Sequence, residues 1–167
     1  IYGDLEGLPK SEDHPTAPVS PYGVTKLAAE SYVRSFGLIH GMRTLTLRYF
    51  NVFGPRQMDD SPYSGVIAKF CRAAVQGEGV VIDGDGEQSR DFTPVDNVVH
   101  GNLLALDADY EPGTLLNLAL GVRVTINELW DSLQRISGNV AEAEHGAARA
   151  GDVKHSQADI ARIARAL

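Results

Sequence analysis

The feature that most constrains this chain is a repeated switch of hydrophobic period. Val24, Leu27, Ala28 and Tyr32 recur at helical spacing after Pro21, whereas "RTLTLRYF" directly downstream alternates in the β manner. The switch then recurs. A helix is expected from Pro21 to about Leu38, ended by Gly41, and a strand from Thr44 to about Phe50. Further helices are expected over 66–75, 96–108 and 125–136, the last with Thr125 as N-cap and Glu128 three residues on. Short strands are expected at "VVID" and "LLNLAL", with "RDFTPV" short and extended. Strand and helix alternating in this way imply an α/β fold.

Between these elements lie segments that read as loops. Residues 3–20 are rich in Pro, Gly, Asp and Ser, and "NVFGPRQMDDSPYSG" is a long Gly/Pro loop directly after a strand. With 167 residues there is ample chain for one core and little for two. The formal charge of −7 disfavours binding through a nucleic-acid backbone, which needs a basic surface. One cysteine, Cys71, excludes an internal disulfide and fits a reducing compartment. The histidines show no metal-ligand spacing. No apolar run reaches membrane-spanning length and no charged-then-apolar leader opens the chain, so a soluble, cytoplasmic protein is expected. The chain opens at Ile1 and stops within the helical pattern "ADIARIARAL", and both ends read as cuts through a longer protein.

Four stretches carry chemistry. In "SPYGVTK", Tyr22 and Lys26 stand four apart at the start of the first helix, on one face. A free phenol ionises near pH 10, too high for a base at neutral pH, and an adjacent ammonium favours the phenolate. A Tyr so placed can exchange a proton with a sugar hydroxyl. The bland alternative is a half-buried Tyr beside a solvated Lys. In "LRYFNVFGPRQ" an apolar strand runs into Asn51, and strand ends in α/β sheets are where ligands bind. Leu47, Tyr49 and Phe50 could equally serve as core. In "IDGDGEQSRDF", Arg90 offers a planar fork suited to phosphate beside glycines that let backbone approach a ligand. A Gly-rich hairpin with a surface Arg is the plain alternative. In "RAGDVKHSQADI", Arg149 and Asp152 supply a cation and a carboxylate three apart, which elsewhere would be an ordinary solvated surface.

In this order, "YGD…LP…ED", "SPYGVTK", "RYFNVFGPRQ", "GDGEQSRDF" and "GDVKHSQADI" resemble the extended short-chain dehydrogenase/reductases, specifically the NAD-dependent nucleotide-sugar epimerases and dehydratases. The likeness covers nearly the whole chain and is nearest to UDP-N-acetylglucosamine 4-epimerases. It implies the C-terminal part of a Rossmann-type α/β enzyme. The end of the NAD-binding fold, about 1–60, would merge into a nucleotide-sugar-binding region, about 61–167. The glycine fingerprint and the catalytic Ser or Thr would lie upstream of Ile1.

The resemblance also assigns roles. Tyr22 resembles the proton-transferring Tyr, and Lys26 the Lys that binds nicotinamide ribose. Tyr49 and Phe50 fall in the stretch lining the nicotinamide end, with Asn51 reaching the nucleotide-sugar. Arg90 and Arg149 resemble the diphosphate-binding arginines, and Asp152 the ribose-binding carboxylate. Ser156 falls where the space around the sugar C2 substituent is gated, although Ser156 could also be the N-cap of the last helix. The implied reaction is C4 inversion by transient oxidation, with NAD as cofactor, a UDP-sugar as substrate and a homodimer as assembly. Tyr32, Val33 and Phe36 would supply an apolar side of that dimer, or else core within one subunit. A UDP-glucuronate 4-epimerase or a nucleotide-sugar 4,6-dehydratase would share Tyr22 and Lys26, and a non-catalytic nucleotide-sugar-binding remnant is the reading from another class. Pro94 and Asn97 depart from the residues usual at their positions, and Pro94, lacking an amide donor, casts doubt on sheet pairing there.

Overall fold

A computed structural model describes residues 1–59, 65–149 and 152–167. Parts of the loop after Asn51 and of the stretch between Arg149 and Asp152 therefore lie outside the described residues. The first helix, α1, spans Pro21–His40. Ser20 caps it by accepting the Gly23 amide at 3.1 Å, and Pro21 fills the first turn, where no amide donor is needed. It ends two residues beyond the expected Leu38, at Gly41, whose φ of 64° lies in the left-handed region.

Strand β1, Leu45–Tyr49, is followed by the short β2, Val52–Phe53. Helix α2 is Val66–Gln76 and carries Cys71. Strands β3 (Val81–Asp83), β4 (Ser89–Arg90) and β5 (Thr93–Pro94) lead to α3, Val95–Asp107. Strands β6 (Thr114–Leu118) and β7 (Val124–Thr125) precede α4, Ile126–Ser137. A final strand β8, Glu144–Gly146, and helix α5, Ala161–Ala166, complete the described elements. The α/β class follows from three parallel pairings: β1 with β6, β2 with β5, and β3 with β8, while β4 and β7 pair antiparallel.

Two expectations need correction, and one strand was not foreseen. The stretch "RDFTPV" is not one extended segment: β4 and β5 find different partners. Pairing survives at Pro94, because the Thr93 amide carries the rung, donating to the Asn51 carbonyl at 3.2 Å, while Pro94 turns the chain into α3. Strand β8 has no alternating apolar pattern, and all three of its residues are exposed; only its partner β3 makes it a strand.

The main core lies where α2 and α4 cover β3, built from Phe70, Ile82, Phe92, Ile126, Leu129 and Trp130. Phe70 and Trp130 meet edge-on at 5.7 Å. The expected cap of α4 is a full capping box, with the Thr125 hydroxyl accepting the Glu128 amide and the Glu128 carboxylate accepting the Thr125 amide. A smaller cluster joins Tyr2, Phe50 and Ala158. Fully buried Asn117 ties this end together: it accepts from Tyr2 Oη at 2.7 Å, and its amide nitrogens donate to Glu12 Oε1 and the Lys10 carbonyl. Outside the cores, α1 presents Tyr32, Val33, Phe36 and Ile39 to solvent, so these residues are not core within this chain. Among the described residues no helix is long and apolar enough to cross a membrane.

Candidate active site

Parallel β1 and β6 bring their carboxyl ends together, with Tyr49 opposite Leu118, and the Phe50 amide extends the pairing to the Leu118 carbonyl. Asn51 leaves this edge exposed, and its carbonyl holds Thr93 of β5. The carboxyl edge of the β1–β6 pair therefore also gathers the segment containing Arg90, in the place where α/β sheets bind ligands.

Helix α1 starts at the same edge. At its far end Gly37 closely approaches Thr44, where any side chain would collide: a Cβ would stand 2.1 Å from Thr44 Oγ1. Seven residues earlier, Glu30 meets Arg48 near the carboxyl end of β1. Helix and strand thus run in opposite directions, and Tyr22, eight residues before Glu30, lies about 12 Å further along the helix axis. The first turns of α1 consequently overhang the carboxyl edge. Tyr22 and Lys26 share one face there, and both are exposed. Lys26 Nζ stands 5.2 Å from the Tyr22 ring centroid, a cation–π contact. The half-buried reading of Tyr22 does not hold, since the residue is 67% exposed.

Arg90 and Asp152 form the tightest contact among the candidate residues. Arg90 Nη2 donates to Asp152 Oδ1 at 2.6 Å, and Nη1 donates to the carbonyls of Ser89 and Lys154. The arginine is therefore locked in place rather than a free surface cation, with its side chain 12% exposed. Nε and a remaining Nη2 proton carry no such bond among the described residues, which leaves part of the fork for an anion. Arg149 is exposed and is not drawn to Arg90; its carbonyl accepts the Asp152 amide at 3.4 Å.

Ser156 sits beside this pair. Its amide donates to the Ser89 carbonyl at 3.0 Å, one residue past His155, which pairs in parallel with Ser89 of β4. It is not a helix N-cap: α5 begins only at Ala161, whose amide is accepted by Asp159 Oδ1. Tyr49 is half exposed and donates its hydroxyl proton to Asn102 Oδ1 at 3.0 Å. Phe50, by contrast, is 8% exposed and packs on Tyr2 and Ala158. Of the adjacent pair only Tyr49 faces outward.

Sequence reasoning missed Asn102, which orients Tyr49, and Asp91, which is fully buried and accepts the amides of Leu120, Gly121 and Ala158. Burial pushes the Asp91 carboxyl above the usual carboxylate range, and the three amides work against that shift. Asp91 gave no local signal, because its amide donors come from residues 120, 121 and 158. Asn102 gave none either.

The sequence pattern of the NAD dependent epimerase/dehydratase family matches residues 1–119. A putative UDP-glucose 4-epimerase of Methanocaldococcus jannaschii is 36% identical over 160 residues, covering 96% of this chain and 51% of that protein. Among solved structures, a UDP-N-acetylglucosamine 4-epimerase from Methanobrevibacter ruminantium, in complex with UDP-N-acetylmuramic acid, superposes with a TM-score of 0.94 at 41% identity, over 98% of this chain and 52% of that one. A UDP-glucuronic acid 4-epimerase from Bacillus cereus, in complex with UDP-glucuronic acid and NAD, gives a TM-score of 0.89 at 31% identity, over 100% of this chain and 52% of that one. The chain spans about half the length of these proteins. By family pattern, sequence relatives and superposition alike, it belongs to the NAD dependent epimerase/dehydratase family.

Proposed function

We propose that this chain forms the proton-transfer and nucleotide-sugar-binding part of an NAD-dependent UDP-sugar 4-epimerase, with UDP-N-acetylglucosamine and UDP-N-acetylgalactosamine as its substrates. The observation that carries this reading is the overhang of Tyr22 and Lys26 at the sheet edge where Asn51, Arg90, Asp152 and Ser156 gather. The reactions named for the relatives, on UDP-glucose, UDP-N-acetylglucosamine and UDP-glucuronic acid, support the UDP-sugar class.

The residues present fit one end of NAD. Tyr22 Oη and Lys26 Nζ are exposed and carry no hydrogen bond to the described residues, so a ribose diol can take both. NAD supplies the hydride chemistry when bound. The chain's own residues do the rest. Tyr22 moves the proton at the sugar O4, and Lys26 holds its ring and the ribose. Arg90 and Arg149 bind the diphosphate, Asp152 takes a ribose hydroxyl, and Asn51 meets the nucleotide-sugar. Strong contacts to the diphosphate with few to the hexose let the oxidised sugar turn over without release.

Ser156 supports the acetylated substrate. It is half-buried, follows His155, the parallel partner of Ser89, and bonds by its amide to the Ser89 carbonyl next to Arg90, and a small side chain there leaves space beside C2. The exposed apolar side of α1, with Tyr32, Val33 and Phe36, suits a self-complementary homodimer face. The test is a side-by-side assay of the parent enzyme on UDP-N-acetylglucosamine and UDP-glucose. Conversion of each at its C4 epimer pair, with the acetylated sugar preferred, is the expected result; absence of C4 inversion on either overturns the reading.

A further inference from the structure

The run 154–158 meets the 89–91 stretch at a single parallel bridge, Ser89 opposite His155. The Ser89 amide donates to the Lys154 carbonyl at 2.9 Å, and the Ser156 amide donates to the Ser89 carbonyl at 3.0 Å. Ser89 Oγ and His155 Nδ1 add a side-chain bond of 2.9 Å. Continued as a regular parallel ladder, this bridge would bring the Ala158 amide to the Asp91 carbonyl. Here the rung goes to the side chain instead: Asp91 Oδ2 accepts Ala158 N–H at 3.1 Å. The same carboxylate accepts Gly121 N–H on Oδ2 at 3.0 Å and Leu120 N–H on Oδ1 at 3.1 Å.

One fully buried carboxylate thus joins three chain segments. These are the Arg90 strand, the loop that leaves the carboxyl end of β6, and the run that carries Ser156. Three amide donors replace water around the charge, which a buried carboxylate requires. The substitution of side chain for backbone makes this junction sensitive to the identity of one residue, unlike an ordinary rung.

We propose that Asp91 is the positioning residue of the nucleotide-sugar site, holding Asp152 and Ser156 in register with Arg90 and fixing the β6 loop beside them. It touches no ligand itself and acts through the three amides. The proposal rests on the reading that Arg90, Asp152 and Ser156 hold the UDP-sugar. Asp91→Asn keeps the shape, but it replaces one acceptor oxygen by a donor that would face an N–H group. At least one buried amide then lacks its partner, and the 154–158 run can slide relative to Arg90. Tyr22 and Lys26, on α1, are outside this junction.

The test compares wild type, Asp91→Asn, Arg90→Ala and the double variant in the full-length parent enzyme, measuring UDP affinity by calorimetry together with kcat and KM. Asp91→Asn is expected to weaken UDP about tenfold or more, raise KM in step and leave kcat within about threefold. Its effect on UDP is expected to be far from additive with Arg90→Ala, because both act on one contact set. A uniform loss of stability would lower kcat as well and add independently of Arg90, which overturns the proposal. UDP affinity within about twofold of wild type for Asp91→Asn, while Arg90→Ala weakens binding, also overturns it and leaves the site reading intact. If Arg90→Ala binds UDP like wild type, the site reading falls and the proposal falls with it. Hydrogen exchange on the wild-type enzyme covers the case of an Asp91→Asn that does not fold. Saturating UDP is expected to slow exchange of the Ala158, Leu120 and Gly121 amides, and unchanged exchange at all three overturns the proposal.

Discussion

Glu30 and Arg48 form a two-pronged ion pair between α1 and the carboxyl end of β1, with Nε and Nη2 of Arg48 at 2.8 and 2.6 Å from the two carboxylate oxygens. Both side chains are nearly withdrawn from water, at 12% and 6% exposure. The guanidinium also lies over the Tyr2 ring at 4.6 Å. Tyr22, Lys26 and Glu30 follow one another at four-residue spacing on α1, so the pair that anchors the helix also aims its first two turns. Removing one partner leaves a buried charge alone, which costs about 3–5 kcal/mol. Glu30→Met and Arg48→Met are therefore each expected to destabilise strongly, while the two together should cost less than the sum of the single changes. Chemical denaturation of the four proteins in a double-mutant cycle measures the coupling; additive losses would show that the two residues do not act as a pair.

Tyr22→Phe retains the ring under Lys26 and deletes only the hydroxyl. In the parent enzyme turnover is expected to drop by about 10²-fold or more with KM little changed, since proton transfer at O4 is lost and binding is not. Steady-state kinetics on a UDP-sugar check this, and near-normal kcat would reject the role of Tyr22. Lys26→Met should in addition reduce the NAD retained through purification, which release by denaturation and absorbance quantifies.

Ser156→Tyr places bulk beside the Arg90 strand. Because α5 begins at Ala161, Ser156 caps no helix, so a stability change through lost capping does not confuse the outcome. Activity on UDP-N-acetylglucosamine is expected to fall selectively, by about tenfold or more relative to UDP-glucose. Equal loss on both sugars would remove Ser156 from the specificity argument.

Glu128 contributes a pH-dependent part of stability. The Thr125 amide and hydroxyl hold its carboxyl below the usual value of 4.5. Between that lowered value and the ordinary one, the unfolded chain binds more protons than the folded chain, so stability rises with pH there. The contribution is complete above the ordinary value and is lost as pH falls through the folded one. Glu128→Gln should flatten this part of a melting-temperature profile taken between about pH 3 and pH 6. A profile that keeps its slope would count against the capping box as its source.

Trp130 is 3% exposed and meets Phe70 and the rest of the α2–α4 core. Trp130→Ala is expected to cost about 3–5 kcal/mol in denaturation of the protein that carries this chain. A loss below about 1 kcal/mol would show that the core collapses around the vacated space.

The alternation of the longer helices and strands, the Pro21 start and Gly41 end of α1, the capping box on α4 and the spacing of Tyr22 and Lys26 could all be read from the sequence, because each depends on residues within a few positions of one another. Period, cap chemistry and i, i+4 spacing are local quantities. What only the tertiary structure decided depends on partners distant in the chain. Strand β8 exists because β3 lies beside it, Pro94 keeps its pairing because Thr93 supplies the rung, and Ser156 is a strand-like neighbour of Ser89 rather than a cap. Phe50 turned inward while Tyr49 turned outward, since Tyr2 and Ala158 from opposite ends of the chain close over one face. Asp91 shows the limit most plainly. Its residue type fits a solvated turn as well as a buried junction, and only the convergence of amides from residues 120, 121 and 158 provides the donors that let its charge remain inside.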